Sequence, residues 1–238
     1  MGVQVPSPAF FMNKTKRIQW THELAYAVGL ITTDGNLSPD KRHIQFTTTD
    51  HQLAEQFNRC LNINSKIQLT PPSGFGKKSA YRINFSNVKL YRWLEQIGLK
   101  PRKTHSLGII KTPKKYFPDF LRGHLDGDGS IFTYKDKYMN YKRRRYTYSR
   151  TYTAFNSSSF KHINWIRNNL RKELNIKGAL NSWLKPERTV PLWTLRFAKK
   201  DSFKLLRWLY YKPNLSCLSR KREIAEQFLK SIHKNIRI

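Results

Sequence analysis

A ten-residue segment near the middle of the chain has a second copy upstream, and this pair restricts the folds open to the sequence. The segment at 120–129 reads FLRGHLDGDG, and the segment at 26–35 reads YAVGLITTDG. When Gly29 is aligned with Gly123, both copies are apolar helical stretches that end in Asp-Gly, and they lie 94 residues apart. An offset of this size is that of a domain, so it indicates two structural repeats in one chain.

The charge balance indicates a polyanionic partner. The 238 residues include 45 Lys and Arg against 15 Asp and Glu, a formal net charge of +30, with aromatic residues interleaved. A one-signed excess of this size favours nucleic acid, with a membrane surface as the second candidate. No apolar run reaches the 18 residues of a membrane span, so no segment is expected to cross a bilayer. Nucleic acid, and not a membrane, is the predicted partner. Cys60 and Cys217 lack metal-ligand spacing, and without a signal peptide they favour free thiols in an intracellular, reducing compartment.

Hydrophobic periodicity predicts an α+β fold in which each repeat has the order αββαββα. Apolar spacing predicts helices, and alternation predicts strands such as the one that carries Ile44 and Phe46. The last helix has no strong counterpart in the first half. The predicted helices with both ends defined are 21–33, 88–97, 118–127 and 219–233, the first with Thr21 as its N-cap and Gly35 as its stop. Three further helices are predicted from their apolar residues. The first is capped by Asp50 and carries Leu53, Phe57 and Leu61; the second is capped by Ser158 or Ser159 and carries Ile163, Ile166 and Leu170; the third carries Leu205, Leu206 and Leu209. The predicted strands include 43–47, 66–70, 81–85, 130–135, a long strand ending at 156, 177–184 and 191–197. The predicted divisions are an arm at 1–17, repeats at 18–110 and 118–238, and a linker at 111–117.

Small residues inside the two repeated helices predict that these helices pack on each other. Ala25 and Gly29 lie in the first helix, and Gly123 and Gly127 lie in the second. Glycine costs a helix about 1 kcal/mol relative to alanine, so a matching pair needs a compensating gain. Missing side chains let two backbones approach closely, a logic best described for membrane helices. The alternative, a tolerated accident or a helix end, is weakened because the pattern occurs twice.

Asp34 and Asp128 end the two helices, where the helix dipole disfavours a negative charge by about 0.3–1 kcal/mol. A single Asp-Gly pair is an ordinary turn. Two copies on packed helices that end together would bring two carboxylates close to each other. In so basic a protein this pair predicts a Mg²⁺ site, because hard oxygen ligands suit Mg²⁺ and the metal polarises a phosphodiester.

Through the motif at 123–129 and its second copy at 29–35, the sequence resembles the LAGLIDADG homing endonucleases over about residues 20–232. The resemblance is to a single-chain, double-motif member. It implies a monomer with a pseudo-two-fold axis, a saddle of two antiparallel β-sheets over the DNA major groove, and cuts in both strands that leave short 3′ overhangs. Asp34 and Asp128 take the family's metal-binding position for two or three ions, with the carbonyls of Thr33 and Gly127 as further ligands. Lys103 and Lys221 fall near its basic residues that border the active site.

One position departs from the family's pattern. Thr32 stands where the family often has an acid, which Asp126 supplies in the second copy. That position is usually structural, so activity is expected to survive.

The strand phase predicts which side chains read DNA. If the apolar residues of each strand face the core, the alternate residues face the groove. Arginine pairs well with guanine, and Gln or Asn with adenine. A strand of about nine residues spans about 30 Å, so two halves would read about 20 base pairs of an asymmetric target. The predicted contacts are His43, Gln45, Thr47, Arg82, Asn84, Tyr148, Arg150, Tyr152, Asn156, Thr194 and Arg196.

Three other functions stay open at this point. The chain could be a maturase that binds intron RNA, a DNA-binding regulator that has lost the chemistry, or an intein's endonuclease. Retention of both acids favours the nuclease over the regulator. No splicing-type termini flank the repeats, which disfavours the intein. Maturase and nuclease activities can coexist, and sequence does not separate them.

Overall fold

The structure, a computed structural model, describes residues 17–72, 79–139, 145–184, 186 and 189–235. Most of the predicted arm at 1–17 therefore lies outside the described residues. In the first half the elements are α1 (His22–Asp34), β1 (Gly35–Leu37), β2 (His43–Thr48), α2 (His51–Leu61), β3 (Gln68–Thr70), β4 (Ala80–Ser86) and α3 (Val88–Ile97). In the second half they are α4 (Phe117–Asp128), β5 (Ser130–Met139), β6 (Arg145–Ser157), α5 (Phe160–Leu174), β7 (Ala179–Trp183), β8 (Leu192–Phe197), α6 (Lys199–Leu209) and α7 (Ser219–Asn235).

The two halves repeat one topology, which confirms the predicted α+β fold. Each half holds a four-stranded antiparallel sheet, with strand order β1-β2-β4-β3 in the first and β5-β6-β8-β7 in the second. Corresponding registers agree, since Phe46 pairs with Ile83 on β4 and Phe155 pairs with Leu195 on β8. These four side chains are buried, so the apolar phase expected from the sequence is correct. No helix among the described residues is long and apolar enough to cross a membrane.

Helix α1 packs lengthwise on α4 through the glycines that the repeated motif places there. A Cβ added at Gly29 would lie 2.1 Å from the carbonyl oxygen of Phe120, and one at Gly123 would lie 2.1 Å from that of Tyr26. The Gly123 Cβ would also lie 3.2 Å from the Cα of Gly29. The two backbones therefore touch at this crossing, as the paired small residues predicted. Nine of the 13 residues of α1 and nine of the 12 residues of α4 are buried, which places their contact at the centre of the core.

Several local predictions need correction. Gly35 and Gly129 follow the motif helices with φ of −87° and −89°, so neither is a left-handed stop. Glycine is needed there for space, because a Cβ at Gly35 would lie 2.6 Å from the Cα of Ile31. The chain then enters β1 and β5 directly. Asp50 precedes α2 but makes no side-chain capping bond. In the predicted linker, residues Lys114–Tyr116 form a 3₁₀ turn that leads into α4.

Thr21 caps α1 as predicted, since its hydroxyl accepts a hydrogen bond of 3.0 Å from the amide of Leu24. Helix α7 has no counterpart among the described residues of the first half, where a turn at residues 101–106 follows α3 instead. The start of α7 reaches across to the first half, because the amide of Ser219 donates to Gln52 and Arg220 contacts Asp50. Both the motif helices and α7 therefore join the repeats.

The glycine contact gives the first testable prediction. In an exposed helix, Gly→Ala stabilises by up to about 1 kcal/mol. At Gly29 or Gly123 the new methyl group meets a backbone carbonyl that cannot move alone, so each Ala variant is expected to lose about 1–3 kcal/mol of stability. Denaturant unfolding measures this loss. Gln96→Ala on the exposed side of α3 is the control, and a stabilised Gly29→Ala would contradict the close packing.

Candidate active site and nucleic-acid interface

The C-terminal ends of α1 and α4 meet, and they bring the two motif acids to one place. A Cβ added at Gly127 would lie 2.0 Å from the hydroxyl of Thr33 and 2.6 Å from a carboxylate oxygen of Asp34. The side chain of Asp34 thus lies against the last turn of α4, whose final residue is Asp128. The absence of a side chain at Gly127 makes this approach possible, because any larger residue would displace Asp34.

Both carboxyl groups are hard to ionise in this environment. Burial is the largest cause that raises the pKa of Asp34 from 3.8 to about 6, and the negative charge of Asp128 is the second. The hydrogen bond from Thr33 and the charges of Lys103 and Lys221 lower this pKa, but by less. Burial also raises the pKa of Asp128, and the same two lysines oppose this shift. A cation bound between two such carboxylates would relieve both burial and mutual repulsion. The pair is therefore suited to a site whose occupant carries positive charge.

The available donors fit a divalent metal only if further oxygens join the two acids. Among the described residues there is no group of three or more His, Cys, Asp or Glu side chains that could hold a metal. The carbonyls of Thr33 and Gly127 belong to the last turns of their helices, where carbonyls have no intrahelical donor. Two carboxylates with such carbonyls form an all-oxygen set, which suits Mg²⁺ and leaves positions for water or phosphate oxygens. The chain's donors thus fit the predicted ion.

Lys103 and Lys221 both lie beside the acid pair, but they are bound differently. Burial lowers the pKa of each lysine to about 8, although the nearby acids favour the charged form. The ammonium of Lys103 donates to the carbonyl of Gly35 and lines a pocket beside Asp128. The ammonium of Lys221 donates to the carbonyls of Leu125, Asp126 and Gly129 at 2.5, 2.9 and 2.8 Å. Lys221 therefore uses all three of its donors on the end of α4, whereas Lys103 has donors left for a ligand.

The position that differs between the motif copies lies away from the acid pair. Asp126 is buried, and it accepts hydrogen bonds of 2.8 Å from the hydroxyl of Tyr26 and the amide of Leu218. Burial raises the pKa of Asp126 to about 6. Thr32, its counterpart, donates to the carbonyl of Val28 at 2.7 Å. Both residues bind groups of the protein interior, which agrees with a structural role for this position.

Asn156 links the second sheet to the acid pair, a contact that sequence reasoning missed. Its side-chain amide donates to the carbonyl of Asp128 at 2.9 Å, and its oxygen accepts from the hydroxyl of Thr194 at 2.8 Å. Both residues were predicted to contact DNA; here their side chains brace the end of α4. A pocket of about 230 Å³ opens beside them, lined by Lys103, His124 and Asp128 among others. No local sequence signal marks this bond, because the partners are 28 residues apart.

The outer face of the first sheet carries the polar residues expected there. Register pairs Gln45 with Asn84 and Thr47 with Arg82, on the face opposite the buried apolar residues. His43 lies on the same face, with its ring bound to Asp40 of the preceding turn. The register adds two exposed residues that were not predicted, Asn36 opposite Gln45 and Gln68 opposite Arg82. Strands β1 and β3 have three residues each, too few to show alternation.

The outer face of the second sheet is aromatic and basic. Tyr152 stacks on Phe132 of β5 with ring centroids 5.5 Å apart, and the guanidinium of Arg196 lies 5.1 Å from the centre of the Tyr152 ring. Arg150 is exposed on the same face, opposite Tyr134. Phe132 and Tyr134 were not predicted as interface residues. Tyr148 pairs with Asp136 through the backbone, but its side chain lies outside the described residues.

The chain is thus a two-repeat protein whose two motif helices end in a shared acid pair, and comparisons with known proteins identify the fold. A family model described as a LAGLIDADG-like domain matches residues 21–98. The homing endonuclease I-LtrWI, solved bound to target DNA, superposes with a TM-score of 0.58 at 12% identity and covers 91% of both chains. The homing endonuclease I-WcaI bound to its recognition sequence gives 0.54 at 13% identity, over 87% of this chain and 88% of that one.

Two further matches show that similarity to this chain is not confined to homing endonucleases. Full-length WhiA from Thermatoga maritima superposes with a TM-score of 0.52 at 16% identity, and the alignment covers 88% of this chain but 62% of that protein. An A-type ATP synthase component of Methanopyrus kandleri is 26% identical over 109 residues, which are 46% of this chain and 10% of that protein. The chain has the LAGLIDADG fold in two repeats, so the resemblance drawn from its sequence is confirmed at the level of the fold. The fold alone does not select an activity.

The unequal bonding of the two lysines can be tested by paired substitutions. Lys221→Met removes three hydrogen bonds at the end of α4. The carbonyl of Leu125 keeps the amide of Gly129 as a donor at 3.0 Å, but those of Asp126 and Gly129 lose the lysine. Each buried group left unpaired costs about 1–3 kcal/mol. Lys103→Met removes one such bond and is expected to cost about 1–3 kcal/mol in total. Denaturant unfolding at pH 7 without divalent ions compares the two variants, which face the same acids. Equal losses would contradict the capping role of Lys221.

Proposed function

We propose that this chain is a site-specific DNA endonuclease that requires a divalent metal and cuts both strands of a long, asymmetric target. The observation that carries the proposal is the meeting of Asp34 and Asp128 at the ends of two packed helices. The family resemblance adds that the products have short 3′ overhangs and that the chain acts as a monomer. The extreme positive charge would supply affinity for the phosphate backbone.

The chain's own residues would hold the reacting groups in place. Asp34 and Asp128, with the carbonyls of Thr33 and Gly127, would bind two or three Mg²⁺ ions, which polarise the phosphodiester and lower the pKa of bound water. Asn156 would hold the end of α4 so that Asp128 keeps its position. Lys103 would face the phosphate with its remaining donors, placing positive charge where negative charge develops.

The sheet faces would read unequal lengths of DNA. Strand β2 has six residues, so it is about 20 Å long and matches about six base pairs. Strand β6 has 13 residues, so it is about 43 Å long and matches about 12 base pairs. Amide and imidazole groups dominate the first face, whereas arginines and aromatic rings dominate the second. The target should therefore be asymmetric in sequence and in footprint, with about 20 base pairs in total.

A DNA-binding regulator of the same fold is the second candidate. WhiA shares the fold, and a sheet face can bind DNA without any cleavage. Both motif acids have raised pKa values and are costly to ionise. This cost favours the nuclease, because a binding protein gains nothing from carboxylates that repel phosphate. Binding of intron RNA by a maturase is compatible with either candidate.

Cleavage assays on acid variants test the proposal. Genomic DNA from an allele that lacks the intron is incubated with protein and Mg²⁺, and new double-strand ends are located by sequencing. The wild-type chain is expected to cut at one or a few sites. Asp34→Asn and Asp128→Asn are each expected to abolish double-strand cutting while keeping DNA affinity within about threefold, because the removed charge repels phosphate.

Asp201→Asn is the control, since it makes the same chemical change on α6 outside the acid pair. Full cutting by either motif variant would overturn the assignment of the acids. Binding without cutting by the wild-type protein would favour the regulator.

A further inference from the structure

The helices of the second repeat carry positive charge that the sheet faces do not account for. Helices α5 and α6 hold eight Lys and Arg against two acids, whereas α2 and α3, at the corresponding places in the first repeat, hold three against two. These helices cover the inner face of the second sheet, where Phe155 and Phe197 pack on Ile163 and Leu205 in the core. Duplex bound to the outer face would not reach them.

A groove of about 800 Å³ lies among these charges, between the end of α5 and the outer side of α6. Its basic residues are Lys172, Lys204 and Arg207, all exposed. Within the described part of the chain, none of the three is paired with a carboxylate. Glu173 also lines the groove, but Lys114 neutralises it at 3.1 Å. The groove thus has a net positive lining.

Aromatic rings line the same groove and are held in fixed positions. Trp208 follows Lys204 by four residues, so both lie on one face of α6. The Trp208 ring packs on that of Phe117, with centroids 6.0 Å apart. Tyr211 donates its hydroxyl to Asp119 at 3.1 Å, and this buried carboxylate is paired with Arg122 at 2.6 Å. The Tyr211 residue is 42% exposed although its hydroxyl is anchored.

We propose that this groove is a second nucleic-acid site, which binds an unpaired segment of RNA or DNA separately from the duplex site on the sheets. Accessible aromatic rings beside cations fit single strands, because unpaired bases stack on rings while their phosphates contact lysine and arginine. Bases within a duplex already stack on each other and offer no free face. The site goes beyond the proposed cleavage activity, and the acid pair has no part in it.

The test uses the full-length protein with a fluorescein-labelled 12-nucleotide single-stranded RNA and a DNA of the same sequence. Affinity is measured at about 0.15 M salt in the presence of excess unlabelled random duplex, which occupies the sheet faces. Lys204→Glu/Arg207→Glu is compared with Lys161→Glu/Lys200→Glu, which makes the same charge change on α5 and α6 outside the groove. The groove variant is expected to lose about tenfold or more in affinity, and the control about threefold or less.

A cross-linking experiment on the wild-type protein makes the result independent of the variants' folding. A 4-thiouridine-substituted RNA is expected to link to the peptide that contains Trp208 and Tyr211. Links to Tyr152 instead, equal losses in both variants, or displacement of the RNA by equal charge of polyglutamate would overturn the proposal. The RNA and DNA arms identify which single strand binds more tightly. Duplex cleavage in the groove variant should be unchanged, so the two sites are tested separately.

Discussion

The contact between the backbones of Gly29 and Gly123 is the constraint on which the rest of this structure depends. Because no side chains separate α1 and α4 there, the two helices run together and end at the same place. Their ends bring Asp34 and Asp128 to the interface and set the two sheets on either side of it. The same residue type at Gly127 lets the first acid approach the second helix. Close packing and the candidate chemistry thus arise from one short repeated motif.

The acid pair illustrates a conflict between stability and function. Burial makes both carboxylates costly to ionise, and neighbouring lysines offset only part of this cost. The lysines of the two halves are bonded differently. Lys221 donates to three carbonyls at the end of α4, whereas Lys103 lines a pocket beside Asp128. Asn156 braces the second half through a side-chain amide. The repeat is symmetric in topology but not in the groups that surround each acid.

Much of the fold could be predicted from the sequence because most helices and strands occur twice, so that the two copies could be compared. Strand phase followed from the alternation of residues such as Ile44 and Phe46, and the helix contact followed from paired glycines. The bond from Asn156 to Asp128 could not be predicted, because it joins a strand to a helix end with no periodic signal. For β5 the sequence did not show which residues face the core. Its aromatic residues Phe132 and Tyr134 would be expected to point inward, but they lie on the outer face of the sheet.

A carboxyl NMR titration of the metal-free protein tests most directly whether the two acids converge. Asp34 is expected to titrate near pH 6 in the wild-type chain, because burial and Asp128 both disfavour its charged form. In the Asp128→Asn variant one of these causes is removed, so the titration midpoint of Asp34 should fall. A midpoint near the ordinary value of 3.8 in both proteins would contradict the convergence of the two acids.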